Sequence, residues 1–288
     1  MFNVRIKRYL NTEQIIIYSE PLLNKDSERE DNRKVIRETG EVVPHNRRII
    51  HDYFEPREIV TEEGNVLQVP YTEKIGYILH DEDDEESKKR SYRRTKQKVY
   101  DMVKCNNWEW FFTLTFNPEK VDSFNYDITT KKLSLWLNNM RKICPEMKYL
   151  VVPEKHPTSG RWHFHGLFAN VDKMVFVDSG ERDKRGRVIY NVGNYRLGFS
   201  TATKISDVAK ASSYLCKYIT KELCDVTKGK KRYWSSRNVD VPEVTDMLVM
   251  DLQNFIKDLE EDATYSKEVK GYVYTRYYEK PICTTNAP

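Results

Sequence analysis

The segment Trp162-His163-Phe164-His165-Gly166 places two histidines at alternate positions among apolar residues. Side chains in a β-strand point to opposite faces with a period of two, so His163 and His165 share one face while Phe164 faces a core. The alternation therefore predicts a sheet that is covered by apolar packing on one side and carries adjacent imidazoles on the other. Two imidazoles at this spacing form half of a metal site, although two ordinary surface histidines would give the same pattern.

Apolar patterns on both sides of this segment predict an α+β fold. A buried strand is expected at Trp110–Phe116, and a helix with one apolar face follows from about Asp127. A second strand at Met147–Val152 precedes the histidine strand, and a further strand (Phe199–Ile205) precedes a helix from Asp207 to about Leu223. This order, with a tight hairpin between the second strand and the histidine strand, predicts a central antiparallel β-sheet flanked by helices.

The chain is expected to have three parts. An acidic run, Asp81–Glu86, is interpreted as a solvated linker, and a basic helix follows it to about Lys104. The polar segment 172–198 is predicted to be a hairpin insertion, and an amphipathic helix is predicted from Val241 to about Glu260. The three parts are an N-terminal accessory region that is partly linker (1–90), a central domain (91–240) and a C-terminal helix and tail (241–288).

Charge is concentrated in one segment rather than spread over the chain. The 288 residues carry a formal net charge of only +4. Between Lys204 and Arg237, by contrast, nine residues are basic and three are acidic. This excess suits a groove for single-stranded nucleic acid, although a solvated basic helix face would look the same. Six residues of this region are candidates for DNA contact: Lys221, Lys228, Lys230, Lys231, Arg232 and Trp234.

Cysteine usage and hydropathy bear on the compartment. The five cysteines form no CxxC pair and no regular spacing, which is typical of reduced thiols in a cytosolic protein. The N-terminus lacks an apolar signal core, and the sequence has no run of 18 apolar residues. We therefore expect a cytoplasmic protein that is neither secreted nor membrane-spanning.

Glu154 is the expected third metal ligand. It ends the strand that precedes the histidines, and a short loop returns the chain to His163. Antiparallel pairing would bring the carboxylate opposite the imidazoles or one position away. Two imidazoles and a carboxylate leave positions open on a divalent cation for substrate oxygens. His156 in the loop is an alternative third ligand, and Glu154 as a solvated strand-end carboxylate is the simpler interpretation.

A second group of candidate residues lies on the helix after Asp207. Tyr214 and Tyr218 are four residues apart, and Lys217 and Lys221 each follow a tyrosine by three, so each phenol has an ammonium group within reach along a helix. A nearby positive charge lowers the pKa of a phenol and balances charge on a phosphate under attack. The alternative interpretation is a core helix with a stripe of tyrosines and solvated lysines, which would show the same spacing.

Three of these segments, in this order, resemble the motifs of HUH endonucleases. They are the Phe-Thr-Leu-Thr-Phe strand (112–116), the His-hydrophobic-His strand (163–165) and the Tyr-x-x-Lys-Tyr helix (214–218). The resemblance is closer to the rolling-circle replication initiators of phages and plasmids, such as filamentous-phage gene II proteins and microvirus replication proteins. Gly198–Ser200 and the segment 231–238 also fit, so the resemblance covers about residues 90–240.

The resemblance implies a ferredoxin-like or RRM-like sheet and a nicking and joining enzyme for single-stranded origin DNA. His163, His165 and Glu154 would hold Mg²⁺ or Mn²⁺. Tyr214 would attack the phosphate to form a 5′-phosphotyrosine, and Lys217 would neutralise nearby charge. Tyr218 would be a second nucleophile, as in two-tyrosine members, or dispensable, as in one-tyrosine members. Thr113 and Thr115 match the first motif, with a structural or origin-contacting role.

Further partners and rival functions follow from the same resemblance. The freed 3′-OH would serve a host polymerase, with a host helicase as a further partner, in the cytoplasm of a bacterial host. A transposase or conjugative relaxase would use the same chemistry, but no appended helicase motif of the GxxxxGK[ST] type is present. A non-catalytic DNA-binding regulator would need only the basic groove, and an RNA-binding module with a structural metal is a third possibility. The sequence leaves the oligomeric state open.

Overall fold

The computed structural model describes residues 1–22, 48–49, 55–60, 66–71, 77–78, 84–227, 229–269 and 275–282. The described strands are β1 (Phe2–Arg8), β2 (Thr12–Leu22), β3 (Arg48–Ile49), β4 (Glu55–Val60), β5 (Val66–Tyr71), β6 (Tyr77–Ile78), β7 (Trp110–Phe116), β8 (Lys148–Lys155), β9 (Trp162–Ala169), β10 (Phe176–Arg182), β11 (Val188–Val192), β12 (Gly198–Lys204), β13 (Trp234–Ser235), β14 (Glu243–Met247), β15 (Tyr265–Val269) and β16 (Thr275–Pro281). The described helices are α1 (Asp84–Lys104), α2 (Tyr126–Ile143), α3 (Val208–Lys217), α4 (Lys221–Val226) and α5 (Leu252–Asp262).

The chain divides into two compact units, and the smaller one comprises residue 1 and residues 22–87. Its described strands form two antiparallel pairs, β3 with β6 and β4 with β5. The larger unit comprises residues 2–21 and 88–288 and contains both larger sheets. The antiparallel sheets and the helices confirm the predicted α+β class.

The main sheet of the larger unit has seven strands in the order β10-β11-β12-β7-β9-β8-β13. Its central strand β7 buries every second residue: Trp110, Phe112, Leu114 and Phe116 face the core, while the residues between them are half-buried. This alternation is the period of a strand with one densely packed face. The predicted hairpin insertion is confirmed as β10 and β11 at one edge of the sheet.

Helix α2 covers the face of the sheet to which Phe164 points. Asn125 caps the start of the helix, because its side chain accepts the backbone N–H groups of Asp127 and Ile128. The predicted apolar stripe is buried, and Trp136 meets Phe168 with ring centroids 6.2 Å apart. Burial of each such side chain contributes about 1.5–3 kcal/mol, so this packing holds the helix on the sheet. The opposite face is left for the histidines.

Helices α1, α3 and α4 belong to the other side of the main sheet. The Cys216 thiol of α3 lies 3.9 Å from the carbonyl oxygen of Lys96 in α1. Asp207 caps α3, as predicted, by accepting the backbone N–H of Lys210. The predicted single helix to Leu223 is wrong, because α3 ends at Lys217 and α4 begins after Thr220. The Thr220 hydroxyl accepts the N–H of Leu223, so it caps a new helix instead of continuing the old one.

A second sheet joins the two ends of the chain in the order β14-β1-β2-β16-β15. The helix predicted from Val241 to Glu260 is therefore wrong over its first half. Residues 243–247 form β14, which pairs antiparallel with β1, and only residues 252–262 are helical. Tertiary pairing with β1 overrides the helical periodicity, and Asp251 starts α5 by accepting the N–H of Asn254.

Helix α1 is linked to this second sheet by polar contacts. Asp101 accepts hydrogen bonds from the Lys7 ammonium and the Tyr9 hydroxyl, both at 2.8 Å. Lys104 pairs with Glu279 of β16. The basic helix ends at Lys104 as predicted, but it begins at Asp84, so the final part of the predicted acidic linker is helical and the rest lies outside the described residues. Among the described helices, none is long and apolar enough to cross a membrane.

Candidate active site

The strand register brings the predicted ligands into two adjacent rows of the sheet. His163 on β9 is opposite Thr115 of β7 on one side and opposite Glu154 of β8 on the other. His165 is opposite Thr113 of β7 in the next row. Directly opposed residues in antiparallel strands present their side chains on the same face. The histidines, the carboxylate and the two threonines therefore share the face that α2 does not cover.

The two threonines hold the imidazoles from behind. Thr113 Oγ1 lies 3.1 Å from Nδ1 of His165, and Thr115 Oγ1 lies 3.3 Å from Nδ1 of His163. A hydroxyl can donate or accept, so it can serve either tautomer of each ring. This arrangement helps to fix both ring orientations and engages Nδ1 of each ring, which leaves Nε2 as the nitrogen for another partner.

Glu154 contacts one of these nitrogens directly. Its Oε2 atom lies 2.8 Å from Nε2 of His165. The hydrogen bond with His165 is the main cause of a lowered Glu154 pKa, and the charges of His165, His163 and His156 act in the same direction. The carboxylate is therefore ionised at neutral pH, in the protonation state that a metal ligand requires.

Imidazole nitrogens and a carboxylate are groups that bind divalent cations. In this structure, however, the Glu154 carboxylate is hydrogen-bonded to His165. In the part of the chain that the structure describes, no three His, Cys, Asp or Glu side chains are already arranged to hold a metal ion. Nε2 of His163, Nε2 of His165 and the carboxylate of Glu154 nevertheless lie on adjacent strands, and hydroxyl groups already occupy the Nδ1 atoms. To hold a cation, Glu154 would have to exchange its hydrogen bond with His165 for a bond to the metal. The Glu154 side chain is only partly buried, so this movement is within its reach.

The environment of His163 favours the neutral form of its imidazole. Burial lowers its pKa below the ordinary 6.5, and the neighbouring His156 and His165 lower it further, against the opposing effect of Glu154. His156 remains the alternative third ligand, since its ring lies 5.2 Å from that of His163. Its Nδ1 atom already accepts the backbone N–H groups of Thr158 and Ser159, so only Nε2 is left for another partner.

One tyrosine lies directly over His165, and the other lies beside the first. The Tyr218 ring stacks on the His165 imidazole with centroids 3.7 Å apart and planes 10° apart. The Tyr214 ring lies 5.5 Å from that of Tyr218, and the Tyr214 residue is 44% exposed. The Lys217 ammonium lies 5.3 Å from the centre of the Tyr214 ring. Phenols, ammonium and imidazoles thus meet at one place.

The two tyrosines occupy different environments, which the spacing argument did not foresee. Tyr218 is the C-cap of α3, and Lys221 starts α4, so the helical spacing expected between them does not exist. Burial is the main cause of a raised Tyr218 pKa, with the hydrogen bond to Tyr214 and the charge of Glu154 adding to it. The expectation that a lysine would lower the pKa of this phenol is therefore wrong.

Two of the predicted DNA contacts are structural instead. Trp234 is only 6% exposed, and its ring packs against Phe164, so its faces are not open to a base. The Arg232 guanidinium donates to Ser91, Thr95, Thr227 and the carbonyl oxygen of Cys224, which ties α1 to the segment after α4. Trp234 is drawn into the core because residues 234–235 pair with β8, whereas Arg232 is engaged by its hydrogen bonds.

The remaining predicted contacts that the structure describes are exposed lysines. Lys221 and Lys231 are exposed, and Lys228 lies outside the described residues. Lys230 pairs with Asp127 at 2.7 Å, and its ammonium lies 5.5 Å from the centre of the Tyr126 ring. Lys221, four residues after Lys217, is the nearest of them to the tyrosines along the chain.

Sequence reasoning missed one residue of this site. The Phe111 ring lies 5.0 Å from that of Tyr214 and 6.1 Å from that of His165. It is the outward-facing aromatic residue of β7, two positions before Thr113. The period-two pattern of that strand contains the signal, since Phe111 has the same parity as the two threonines. Its contacts position Tyr214 beside the imidazoles.

Comparison with known proteins agrees with this location. The family described as replication-associated protein ORF2/gene II protein matches residues 109–223, which is fewer than half of the chain. The matched span contains the histidines, Glu154 and both tyrosines. No curated protein and no solved structure matches the chain. The family match supports a protein of the rolling-circle replication initiator type, with a role in DNA replication.

Proposed function

We propose that the protein is a metal-dependent endonuclease of the HUH type that nicks and rejoins single-stranded origin DNA and so starts rolling-circle replication. The observation that carries the proposal is the stacking of Tyr218 on His165, with centroids 3.7 Å apart, beside the exposed Tyr214. It brings a candidate nucleophile and a candidate ligand set to one open face. The replication-associated family match supports the biological role.

His163, His165 and Glu154 would hold Mg²⁺ or Mn²⁺. When bound, the cation supplies Lewis-acid polarisation of the scissile phosphate. The Thr113 and Thr115 hydroxyls keep both imidazoles in the orientation that exposes Nε2. Loss of either hydroxyl would therefore weaken the site without removing a ligand.

Tyr214 is the proposed nucleophile. Its phenolic oxygen forms a bond to phosphorus, the bond from phosphorus to the 3′ oxygen breaks, and the phenolic proton is lost to solvent while the 3′ oxygen leaves as a hydroxyl. The product is a 5′-phosphotyrosine, which keeps the phosphodiester energy so that a 3′-OH can later attack and rejoin the strand. Lys217, close to the Tyr214 ring, balances the developing negative charge.

Tyr218 is proposed to position His165 and to act second. Its face covers the imidazole, and its raised pKa keeps the phenol protonated at neutral pH. It becomes a nucleophile only once Tyr214 carries DNA and the local contacts change. The free 3′-OH would serve a host polymerase, with a host helicase opening the duplex ahead of it in the bacterial cytoplasm.

A covalent capture experiment tests the proposal. A pool of random single-stranded oligonucleotides with a 3′ fluorophore is incubated with the protein and Mn²⁺, and adducts are resolved on denaturing gels. We expect a labelled band whose tryptic peptide carries DNA on Tyr214, and its loss in Tyr214→Phe. Tyr265→Phe is a matched control, because Tyr265 is an exposed strand residue of the second sheet.

The histidines are tested separately for binding and cleavage. His163→Ala should abolish adduct formation while leaving oligonucleotide affinity largely intact. Equal loss of both would argue against a metal role. Binding without any adduct in Mg²⁺, Mn²⁺, Co²⁺ or Ni²⁺ would favour a non-catalytic DNA-binding regulator, and preference for RNA would favour an RNA-binding module.

A further inference from the structure

Strand β12 extends the open face beyond the histidine rows. Phe199 is opposite Thr115, and Thr201 is opposite Thr113, so the β12 side chains continue the rows that contain His163 and His165. Thr203 is likewise opposite Phe111. These three β12 residues therefore lie on the same face as the site, one strand farther from Glu154.

Phe199 is an aromatic residue that the fold leaves uncovered. It is 60% exposed, and its ring contacts no aromatic ring of a described residue. It lies in the same cross-strand row as His163 and Glu154, two strands away from the histidine. An exposed ring beside a phosphate-handling site is the arrangement on which an unpaired base stacks.

The other end of β12 borders a basic cleft. The cleft has a volume of about 470 Å³ and reaches Tyr214 and Thr113. Its floor is made by Phe111, Thr201 and Thr203, and its wall comes from the β10–β11 hairpin and the start of α3. Five basic and two acidic side chains line it: Lys184, Arg185, Arg187, Lys204, Lys210, Asp183 and Asp207.

Internal ion pairs leave the cleft with a positive excess. Asp183 pairs with Arg187, and Asp207 pairs with Lys210, at 2.7 and 2.8 Å. Lys184 and Arg185 form no ion pair with a described residue, and both lie exposed at the tip of the hairpin. This excess of positive charge, continuous with Tyr214, complements a phosphate backbone.

We propose that Phe199 and the hairpin cleft form a track for single-stranded DNA, in which one base next to the cleaved phosphate stacks on Phe199 and backbone phosphates lie against Lys184 and Arg185. The inference rests on the proposed function and specifies how its substrate lies on the sheet. The track crosses the rows of the site, so DNA that follows it passes directly over Tyr214.

The stacking part is tested with Phe199→Ala, Phe199→Trp and the control Tyr265→Ala. The measurement is fluorescence anisotropy of a single-stranded oligonucleotide that the wild type captures. Alanine substitution at a stacking residue should weaken binding about 5- to 150-fold, whereas tryptophan should preserve it. Circular dichroism shows whether each variant remains folded. Oligonucleotides that lack a single base at each position in turn are then compared. At one position, where the base that stacks on Phe199 is missing, Phe199→Ala should cause no further loss of affinity.

The electrostatic part is tested with Lys184→Ala and Arg185→Ala against Lys131→Ala on α2, which covers the opposite face. Each hairpin variant should lower the slope of log affinity against log salt by about 0.7 for a lost phosphate contact, and the α2 variant should not. The track would be overturned, and the proposed function kept, by one combined result. In that result the wild type forms the adduct, and all cleft and Phe199 variants keep the wild-type DNA affinity and salt slope. Absence of wild-type adduct with any metal would instead overturn the proposed function.

Discussion

Replacing Thr113 by valine tests whether the hydroxyl behind His165 orients that imidazole. Valine keeps the branched shape and strand preference of threonine but cannot bond to Nδ1, so the change removes one contact at 3.1 Å and little else. A single hydrogen bond contributes about 1 kcal/mol to stability, so the variant should remain folded. Its effect should appear at the site.

The expected magnitude follows from the position of this hydrogen bond behind His165, which is a proposed metal ligand. Loss of a partner that orients a metal-binding histidine typically costs about 10- to 100-fold in metal affinity or activity. Thr113→Val should therefore raise the Mn²⁺ concentration for half-maximal adduct formation by that factor, and saturating Mn²⁺ should restore most of the rate. Thr115→Val should have a smaller effect, since its contact with His163 is longer, at 3.3 Å.

The assay is a Mn²⁺ titration of adduct formation, with Mn²⁺ binding followed independently by electron paramagnetic resonance. Thr113→Ser restores the hydroxyl and should recover wild-type behaviour. Thr130→Val is the matched control, because the Thr130 hydroxyl donates to the carbonyl oxygen of Asp127 within α2. A folded Thr113→Val protein with wild-type metal affinity and rate would refute the reasoning, even if His165→Ala were inactive.

Three further outcomes are expected. Trp234→Ala should lower the free energy of unfolding by about 3–5 kcal/mol in a denaturant titration, because it removes a buried ring, whereas Trp234→Phe should retain DNA binding; a folded alanine variant that only loses DNA affinity would restore the stacking role. Gly198→Ala should destabilise the fold by about 1–3 kcal/mol and disturb Thr115, because a Cβ atom there would lie 2.1 Å from the Thr115 carbonyl oxygen; thermal unfolding matching the wild type would contradict this. His163 should titrate below its ordinary pKa of 6.5 in an NMR experiment; since the unfolded chain then binds a proton that the folded chain does not, its contribution should make unfolding easier as the pH falls below about 6.5, and a midpoint at or above 6.5 would contradict the burial argument.

Local sequence patterns were enough to predict the strands and the helix that each bury one apolar face. The period-two alternation of β7 and β9 and the apolar stripe of α2 each require one covering layer, so strand, helix and facing could be predicted together. The segment 243–247 behaved differently. Its helical periodicity was real, but pairing with β1, at the other end of the chain, decided its structure. No local pattern contains that pairing.

The roles of the tyrosines and basic residues likewise depended on tertiary contacts and not on local sequence patterns alone. Spacing placed Tyr214 and Tyr218 near each other, yet only the break of the helix after Lys217 made one exposed and the other stacked on His165. Trp234 and Arg232 had the composition of a DNA-binding segment, but the β13–β8 pairing draws one into the core and the contacts with α1 occupy the other.

The sequence by itself determined which residue types share a strand face, because side-chain direction along a strand is fixed by backbone geometry. It therefore placed His163 and His165 together and made Glu154 their expected partner. Only the tertiary structure decided the register between strands, and with it the threonines behind the imidazoles and the row from Phe199 to Glu154. The physical reason is that register depends on hydrogen bonds and packing between distant segments, which no local stretch of chain encodes.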